Sequence, residues 1–446
     1  MTIDTSINIS ANTEATATER APNLSKQATA LPEHTTGYLN QAAADRPLVN
    51  PVSIDTHHKA RRYRLQRVKE QLIKQDCAAI LLYDPVNIRY ATDSSNMQVW
   101  TLHNFARYAL VFAEGPVILW EFHNCEHLLD GNDLVDEIRT AVNWSYFGAG
   151  SRISEKAQQW ANEITSVVEK YAGKGARLAV DKADLEGLEM LMAKGITLVE
   201  GHSLMEEARL IKSAEELELM RWTIRVCEQG IQRMHDELRP GMTENELWAW
   251  LHFENIRNGG EWIETRLLSS GPRTNPWMQE ASDRVMQEGE IVSFDTDLIG
   301  PYGYCADISR AWTVGHVPPS DEQRRLYQLA YDQVQSNMGL LKAGLSFQEF
   351  SECAWPIPEA FYHNRYCCVV HGIGLADEFP AVAHQGSDWK SAGYNGHFEE
   401  NMVVCVESYI GEQGGKEGIK LEQQVLITKE GCTPLSTYPW QEDWLR

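Results

Sequence analysis

The 446-residue sequence lacks any apolar run of membrane-spanning length, and its N-terminus has neither a basic start nor an apolar stretch. Neither a transmembrane helix nor a secretory signal is therefore expected. Its nine cysteines, which include the neighbours Cys367 and Cys368, lack the spacing of a disulfide framework and of a CxxC zinc motif. These absences predict a cytoplasmic protein with reduced thiols.

Positive charge is also scarce: 40 lysines and arginines stand against 63 aspartates and glutamates, which leaves a formal net charge of −23. Such a surface repels nucleic acids and anionic membranes, so neither is expected as a partner. The length exceeds what one hydrophobic core usually serves and favours two domains.

The pattern along the chain divides it into three parts. Residues 1–55 have little apolar periodicity and are typical of an arm that can dock on a partner subunit. Residues 56–200 alternate helical segments with apolar strands such as AAILLYD, YALVFA and PVILWEF, which predicts an α/β domain.

Residues 201–446 begin with two capping boxes, Ser213 with Glu216 and Thr243 with Glu246, and the first of them opens a helix with a continuous apolar stripe. Strand-like runs follow at 290–298, 303–314, 402–410 and 419–427. This part is predicted to be a curved antiparallel sheet covered by helices, so the whole chain is expected to be α+β.

Carboxylates stand in these strands where apolar residues are expected. Asp295 and Asp297 are two residues apart, so on a strand they face the same side. Asp307 lies ten residues beyond Asp297, across a Gly-Pro-Tyr-Gly turn that can fold the two stretches into a hairpin. Glu407 and Glu422 each interrupt an apolar run.

A metal site accounts for these acids better as a group than one by one. Any single acid is best explained as a solvated strand residue or the partner of a nearby Lys or Arg. Five together, with His371 in a glycine-bracketed turn, require a cation, because unpaired buried carboxylates each cost several kcal/mol. Oxygen-rich ligation with one imidazole suits manganese, iron, cobalt or zinc, and the donors suffice for two ions.

Six stretches of the second part resemble the creatinase/prolidase/methionine-aminopeptidase superfamily, the pita-bread fold: RLIKSAEELELMR, RPGMTENEL, FDTDLIGPYGYCADISRAWTVG, HGIGL, ENMVVCVESYIG and GIKLEQQVLIT. The first part, with DPVNIRYAT, is similar to the smaller creatinase-like N-terminal domain of that superfamily. The resemblance implies a homodimer and four metal ligands, Asp307, His371, Glu407 and Glu422. It places the first family aspartate at Asp295 or Asp297.

The sequence departs from the hydrolytic members at two positions. Those members carry a second histidine seven residues after the ligand histidine, where the shorter HGIGLADEFP has Asp377, and another one upstream, where Trp277 stands. In three features this sequence resembles one branch of the superfamily, the dimethylsulfoniopropionate lyases. These features are the altered HGIGLADEFP stretch, the paired FDTD and the long N-terminal arm. This resemblance implies cleavage to dimethyl sulfide and acrylate. The alternatives are a prolidase-like or aminopeptidase-like hydrolase and an inactive binding module.

The residues suit an elimination from a zwitterion that has a carboxylate at one end and an onium group on its β-carbon. Asp377 is the predicted general base. Two alternatives remain: Asp377 is a loop acid that only caps a backbone N–H, or Glu378 is the base. Trp277 is interpreted as a cation–π contact or as core packing, and Tyr366 as a weaker cage or proton-relay residue.

The number of carboxylates bears on the identity of the metal. Four carboxylates and a histidine balance two divalent ions, and a fifth acid leaves one negative charge over. Either Asp295 or Asp297 is then not a ligand, or one ion is trivalent. The second possibility favours iron, with manganese, zinc or cobalt as alternatives.

Overall fold

The computed structural model describes residues 47–445. The arm expected over residues 1–55 lies outside the described residues except for its last nine. Of these, Leu48 donates its N–H to Asn258 Oδ1 at 2.6 Å, and Asn50 Nδ2 donates to the Tyr302 hydroxyl at 2.7 Å. This short stretch thus lies against the second half of its own chain.

The first half of the described chain contains seven α-helices and six strands. They are α1 (Ile54–Lys74), β1 (Ala79–Leu82), α2 (Pro85–Thr92), α3 (Gln98–Thr101), β2 (Tyr108–Phe112), β3 (Val117–Glu121), β4 (Glu137–Thr140), α4 (Tyr146–Ala149), α5 (Ile153–Ala172), β5 (Arg177–Val180), α6 (Leu185–Ala193), β6 (Thr197–Glu200) and α7 (His202–Arg209). The strands form one mixed sheet in the order β4-β3-β2-β1-β5-β6.

Both faces of this sheet are buried, because consecutive side chains of a strand point to opposite sides. Ile80 and Leu82 of β1 belong to a core that includes Val68 of α1. Their neighbours on β1 belong to a second core, which includes Trp160 of α5. The continuous apolar runs of these strands reflect this burial on two sides.

The second half holds the remaining elements. They are α8 (Ala214–Glu237), α9 (Glu244–Arg257), β7 (Trp262–Ile263), β8 (Leu268–Ser270), β9 (Ile291–Phe294), β10 (Leu298–Ile299), β11 (Cys305–Ala306), β12 (Arg310–Thr313), α10 (Asp321–Leu340), α11 (Phe347–Cys353), α12 (Glu359–Tyr362), β13 (Val370–Ile373), β14 (Asp377–Val382), α13 (Ser387–Ala392), β15 (Val403–Ile410), β16 (Ile419–Ile427) and β17 (Cys432–Pro434). Both predicted capping boxes are present, at the starts of α8 and α9.

Antiparallel pairing joins these strands into sheets of order β11-β10-β7, β12-β9-β8 and β14-β13-β15-β16-β17. Helix α8 packs against α9 and against β11, while α10 packs on β15 and β16. The α+β fold predicted from the sequence is confirmed by this mixture of helices and sheets.

Two expectations for one stretch were wrong. The glycines of HGIGLADEFP predicted a turn at His371 and a loose loop that carries Asp377, but His371 lies inside β13 and Asp377 begins β14. The glycines serve the pairing of these two strands: a Cβ at residue 372 would lie 2.2 Å from the carbonyl oxygen of Phe379. Only glycine permits this close approach.

None of the helices in residues 47–445 is long and apolar enough to cross a membrane.

Candidate metal centre

The hairpin formed by β10 and β11 brings three predicted ligands together. Leu298 pairs with Ala306, which sets Asp297 beside Asp307, and the Asp297 N–H points at Asp307 Oδ1 at 3.4 Å. Asp295, Asp297 and Asp307 are all buried, and one carboxylate oxygen of each lies within 4.8 Å of the others.

The other three predicted ligands come from neighbouring strands of the five-stranded sheet. Glu407 on β15 pairs directly with Glu422 on β16, and β13 places His371 next to them. The His371 Nε2 atom lies 3.2 Å from Glu407 Oε1, 3.5 Å from Glu422 Oε1 and 3.6 Å from Asp307 Oδ2. All six predicted ligands therefore meet in one buried cluster.

The other ring nitrogen of His371 selects its tautomer. Nδ1 lies 3.1 Å from the carbonyl oxygen of Gly372, so we assign the proton to Nδ1, which donates to this acceptor. In the neutral ring, which is the form that binds a metal, the lone pair of Nε2 then points into the carboxylate cluster. A histidine ligand held through its second nitrogen is the usual arrangement at a protein metal site.

The donors of the cluster fit two metal ions. Asp307 belongs to two groups of atoms that each lie within 4.8 Å, one with Asp295 and Asp297 and the other with His371 and Glu422. Among the described residues, Glu422 Oε1 is buried and has no hydrogen-bond donor. A buried carboxylate oxygen without a donor is costly unless a cation meets it.

Burial and mutual repulsion shape the acidity of the cluster. Burial, opposed by the charge of Lys420, raises the pKa of Asp295 to about 6. Burial and the neighbouring carboxylates raise the pKa of Asp297 to about 7 and that of Glu407 to about 8, and they hold the pKa of Asp307 well above its usual range. Without an ion, Asp307, Glu407 and part of the Asp297 population therefore retain protons near neutral pH, whereas Asp295 is mostly ionised.

Two members of the cluster are held in their charged forms. Burial alone would raise the pKa of Glu422, but Lys420 and His371 outweigh it and keep that pKa well below the ordinary value. Burial would likewise lower the pKa of His371, but Asp377 and Glu407 raise it well above its usual range.

Lys420 is the main feature that the sequence analysis missed. Its side chain is fully buried in the cluster, with Nζ 3.0 Å from Asp295 Oδ2, 2.7 Å from Glu407 Oε2 and 3.1 Å from Glu422 Oε2. Its position was a usable signal, because Lys420 precedes Glu422 by two residues and so shares its face of β16.

Three further residues at the cluster were missed. Thr265 donates its hydroxyl to Asp297 Oδ2, and the backbone N–H of Glu264 donates to the Asp297 carbonyl oxygen. Burial and the charges of Asp377 and Asp297 raise the pKa of Glu264 to about 7. The Cys405 sulfur lies within 4.8 Å of ligand atoms of His371 and Asp307. No local motif in the sequence singles out these residues.

The two adjacent acids of β14 have different surroundings. Glu378 is buried and forms ion pairs with Arg209, at 2.8 Å, and with Lys212, so it points away from the cluster. The Asp377 side chain is 49% exposed, and its Oδ1 lies 3.7 Å from His371 Nδ1. Asp377 is therefore the acid that a bound molecule can reach.

Of the two predicted aromatic contacts, Tyr366 lies against Lys420 of the cluster and Trp277 lies beside Tyr409. The face of the Tyr366 ring is 4.5 Å from Lys420 Nζ, so a cation already occupies one face. Trp277 is buried and stacks on Tyr409, with 6.1 Å between ring centroids. Tyr409 follows Glu407 by two residues on β15, which places Trp277 along the same face of the sheet.

Comparison with known proteins links this cluster to two kinds of enzyme. The metallopeptidase family M24 matches residues 218–429. The chain is 42% identical over 387 residues to dimethylsulfoniopropionate lyase DddP of Roseovarius nubinhibens, with 86% of each chain covered. It is 43% identical over 386 residues to DddP of Roseobacter denitrificans, with 85% of this chain and 86% of the relative covered.

Among solved structures, the Xaa-Pro dipeptidase from Bacillus anthracis matches with a TM-score of 0.67 at 21% identity, covering 85% of this chain and 99% of the dipeptidase. At that identity the likeness concerns the fold alone.

Proposed function

Since the chain belongs to the family of the dimethylsulfoniopropionate lyases DddP, we propose that it cleaves dimethylsulfoniopropionate to dimethyl sulfide and acrylate. The observation that carries this proposal is the identity of 42% and 43% to two such lyases over 86% and 85% of this chain. The accessible carboxylate of Asp377 beside the cluster supplies a base for the reaction.

The proposed reaction is an elimination. Asp377 takes a proton from the carbon next to the substrate carboxylate. The electron pair of that C–H bond forms the carbon–carbon double bond, and the C–S bond breaks with its electrons going to sulfur. Dimethyl sulfide leaves as a neutral molecule, and acrylate remains. No water is consumed, in contrast to peptide hydrolysis.

The proposed centre holds two metal ions through Asp295, Asp297, Asp307, His371, Glu407 and Glu422. When bound, the ions supply Lewis acidity that polarises the substrate carboxylate and acidifies the neighbouring proton. Oxygen-rich ligation with one imidazole suits iron, manganese, zinc and cobalt. We propose iron among them, because it alone of the four readily offers the trivalent ion that a fifth carboxylate would balance.

Asp377 has the properties of a general base. Although about half of the Asp377 side chain is exposed, the protein around it removes enough water to raise the pKa of Asp377 to about 6 against the opposing charge of His371. At neutral pH the carboxylate is thus largely ionised, yet it is more basic than an ordinary aspartate. Glu378, its rival, is engaged by Arg209 and Lys212 and has no comparable access.

The sulfonium end of the substrate requires a different kind of contact. An aromatic face attracts a cation by about 0.5–2 kcal/mol, depending on exposure. Tyr366 and Trp277 are the proposed aromatic contacts. Because Lys420 already lies over one face of Tyr366, a sulfonium would have to contact the opposite face.

The second candidate function is a prolidase-like hydrolysis, favoured by the fold shared with the Xaa-Pro dipeptidase. The aspartate at position 377, in place of the second histidine of hydrolytic relatives, argues against it. Purified protein is tested for dimethyl sulfide in the headspace, for acrylate in solution and for cleavage of an X-Pro dipeptide. We expect the first two products in equal amounts and no dipeptide cleavage. Dipeptide cleavage alone would overturn the proposal, and no turnover of either substrate would favour an inactive binding module.

We also infer a homodimer and a cytoplasmic location. The dimer is implied by the superfamily resemblance, and the nine cysteines without disulfide bonds suit a reducing compartment.

A further inference from the structure

Lys420 lies at the centre of the carboxylate cluster. It is fully buried, and its ammonium contacts three carboxylates and the Ser309 hydroxyl, the latter at 2.7 Å. A buried ammonium is stable only when it is paired and hydrogen-bonded. These contacts meet that requirement before any metal is bound.

The same contacts orient the carboxylates. Lys420 lies next to Oε2 of Glu407 and of Glu422, whereas Oε1 of each faces His371 Nε2, at 3.2 and 3.5 Å. In each glutamate, one oxygen is thus held by the lysine and the other points to the histidine. Lys420 and His371 together therefore fix the rotation of both carboxylate groups.

Asp295 is oriented in a similar way. Its Oδ2 lies 3.0 Å from Lys420 Nζ, and its Oδ1 accepts a hydrogen bond from Ser309 at 2.7 Å. The Ser309 hydroxyl also contacts Glu422 Oε2 at 2.9 Å. Lys420 and Ser309 therefore link Glu407 of β15 and Glu422 of β16 with Asp295, which follows β9.

Lys420 also changes the charge balance of the cluster. Five carboxylates and one ammonium carry four negative charges in total, which two divalent ions cancel. The fifth carboxylate therefore does not require a trivalent ion, and divalent iron fits as well as divalent manganese, zinc or cobalt.

We propose that Lys420 is the positioning residue of the metal centre: its ammonium balances one of the five carboxylates and orients the three that it contacts. This inference rests on the proposed metal centre. A protonated lysine has no lone pair to offer an ion, so Lys420 is not itself a ligand. Loss of Lys420 therefore affects metal binding only through the carboxylates that it contacts. Removing such a supporting contact typically weakens metal binding about 10- to 100-fold.

The test compares full-length wild type with Lys420→Met, which removes the charge at similar length, and Lys420→Arg, which keeps it. Each protein is stripped with a chelator and titrated with Co(II), and bound metal, visible absorption and the Tm of the metal-free form are measured. We expect two Co(II) per wild-type chain. Lys420→Met should bind at least one ion about 10- to 100-fold more weakly and should lower the metal-free Tm, and Lys420→Arg should largely restore both.

Lys212→Met is the matched control, since Lys212 is also buried and paired with a carboxylate, that of Glu378, outside the cluster. It should lower the Tm but leave Co(II) stoichiometry and absorption unchanged. If Lys420→Met does not fold, Lys420→Gln, a neutral hydrogen-bond donor, replaces it.

Wild-type Co(II) binding and absorption in Lys420→Met would overturn the inference, as would an arginine variant as defective as the methionine variant. A wild type that binds no Co(II) would overturn the proposed metal centre itself and this inference with it.

Discussion

The Asp377 carboxylate lies 3.7 Å from Nδ1 of His371, on the side of the imidazole ring that faces away from the carboxylate cluster. The opposite nitrogen, Nε2, faces Asp307, Glu407 and Glu422. One ring thus separates the proposed base from the proposed metal centre. A molecule that contacts both must pass beside this ring, and Asp377 is exposed enough to meet it.

Replacing Asp377 by asparagine should remove the base and keep the metal. An amide is nearly isosteric but does not accept a proton at neutral pH, so kcat should fall by about 10² or more. Dimethyl sulfide release and metal content are measured together. Glu378→Gln is the comparison, because Glu378 is held by Arg209 and Lys212 and should affect stability more than kcat. A large loss of kcat in Glu378→Gln alone would reverse the two roles.

Lyase activity should fall as the pH drops through about 6. The raised pKa of Asp377, about 6, means that this acid is protonated and inactive as a base below that pH and ionised above it. The pH profile of kcat/KM, measured with metal in excess and metal content checked at each pH, reports this group in the free enzyme. A profile that stays flat down to about pH 4, where an ordinary aspartate titrates, would argue against Asp377 as the base.

Replacing Asp307 by asparagine should remove both ions, because Asp307 is shared by the two groups of candidate ligand atoms. Activity should be lost with the metal. The metal-free variant should melt at a higher temperature than metal-free wild type, since burial and the neighbouring carboxylates destabilise the ionised Asp307. Asp388→Asn, which alters an ion pair with Arg365 away from the cluster, should keep its metal. Full occupancy in Asp307→Asn would contradict the assignment.

Metal binding should release protons. The raised pKa values of Asp297, about 7, and Glu407, about 8, mean that the metal-free cluster holds protons that a bound ion must displace. Asp307 and His371 also hold protons that ligation must displace, so we expect about two or more protons released per chain near neutral pH, and weaker binding as the pH falls from about 8 to about 6. Co(II) titration in a weakly buffered solution with a pH indicator measures this release. Binding that is independent of pH would show that the carboxylates are already ionised.

In solution the protein should be a homodimer. Size-exclusion chromatography with light scattering should give twice the chain mass of 50.6 kDa. A mass of one chain would contradict this prediction.

Much of the fold could be predicted from local patterns. The capping boxes at Ser213 and Thr243 are read within four residues, and both are present. The strand alternation expected at Asp295 and Asp297 was wrong, because both residues lie between β9 and β10 and Asp297 has a positive φ of 34°. The turn after Asp297 did predict the hairpin that brings Asp307 beside it. The position of His371 inside a strand was missed, because the flanking glycines suggest a turn when the partner strand is unknown.

The sequence by itself determined the type of fold, the family and the set of acids with one histidine, because periodicity, caps and motifs are properties of neighbouring residues. Only the tertiary structure decided that Lys420 lies among these acids and that Asp377, not Glu378, faces His371. The physical reason is that charge balance depends on which side chains meet across strands far apart in the chain. Asp295 and Lys420 are 125 residues apart in sequence and 3.0 Å apart in space.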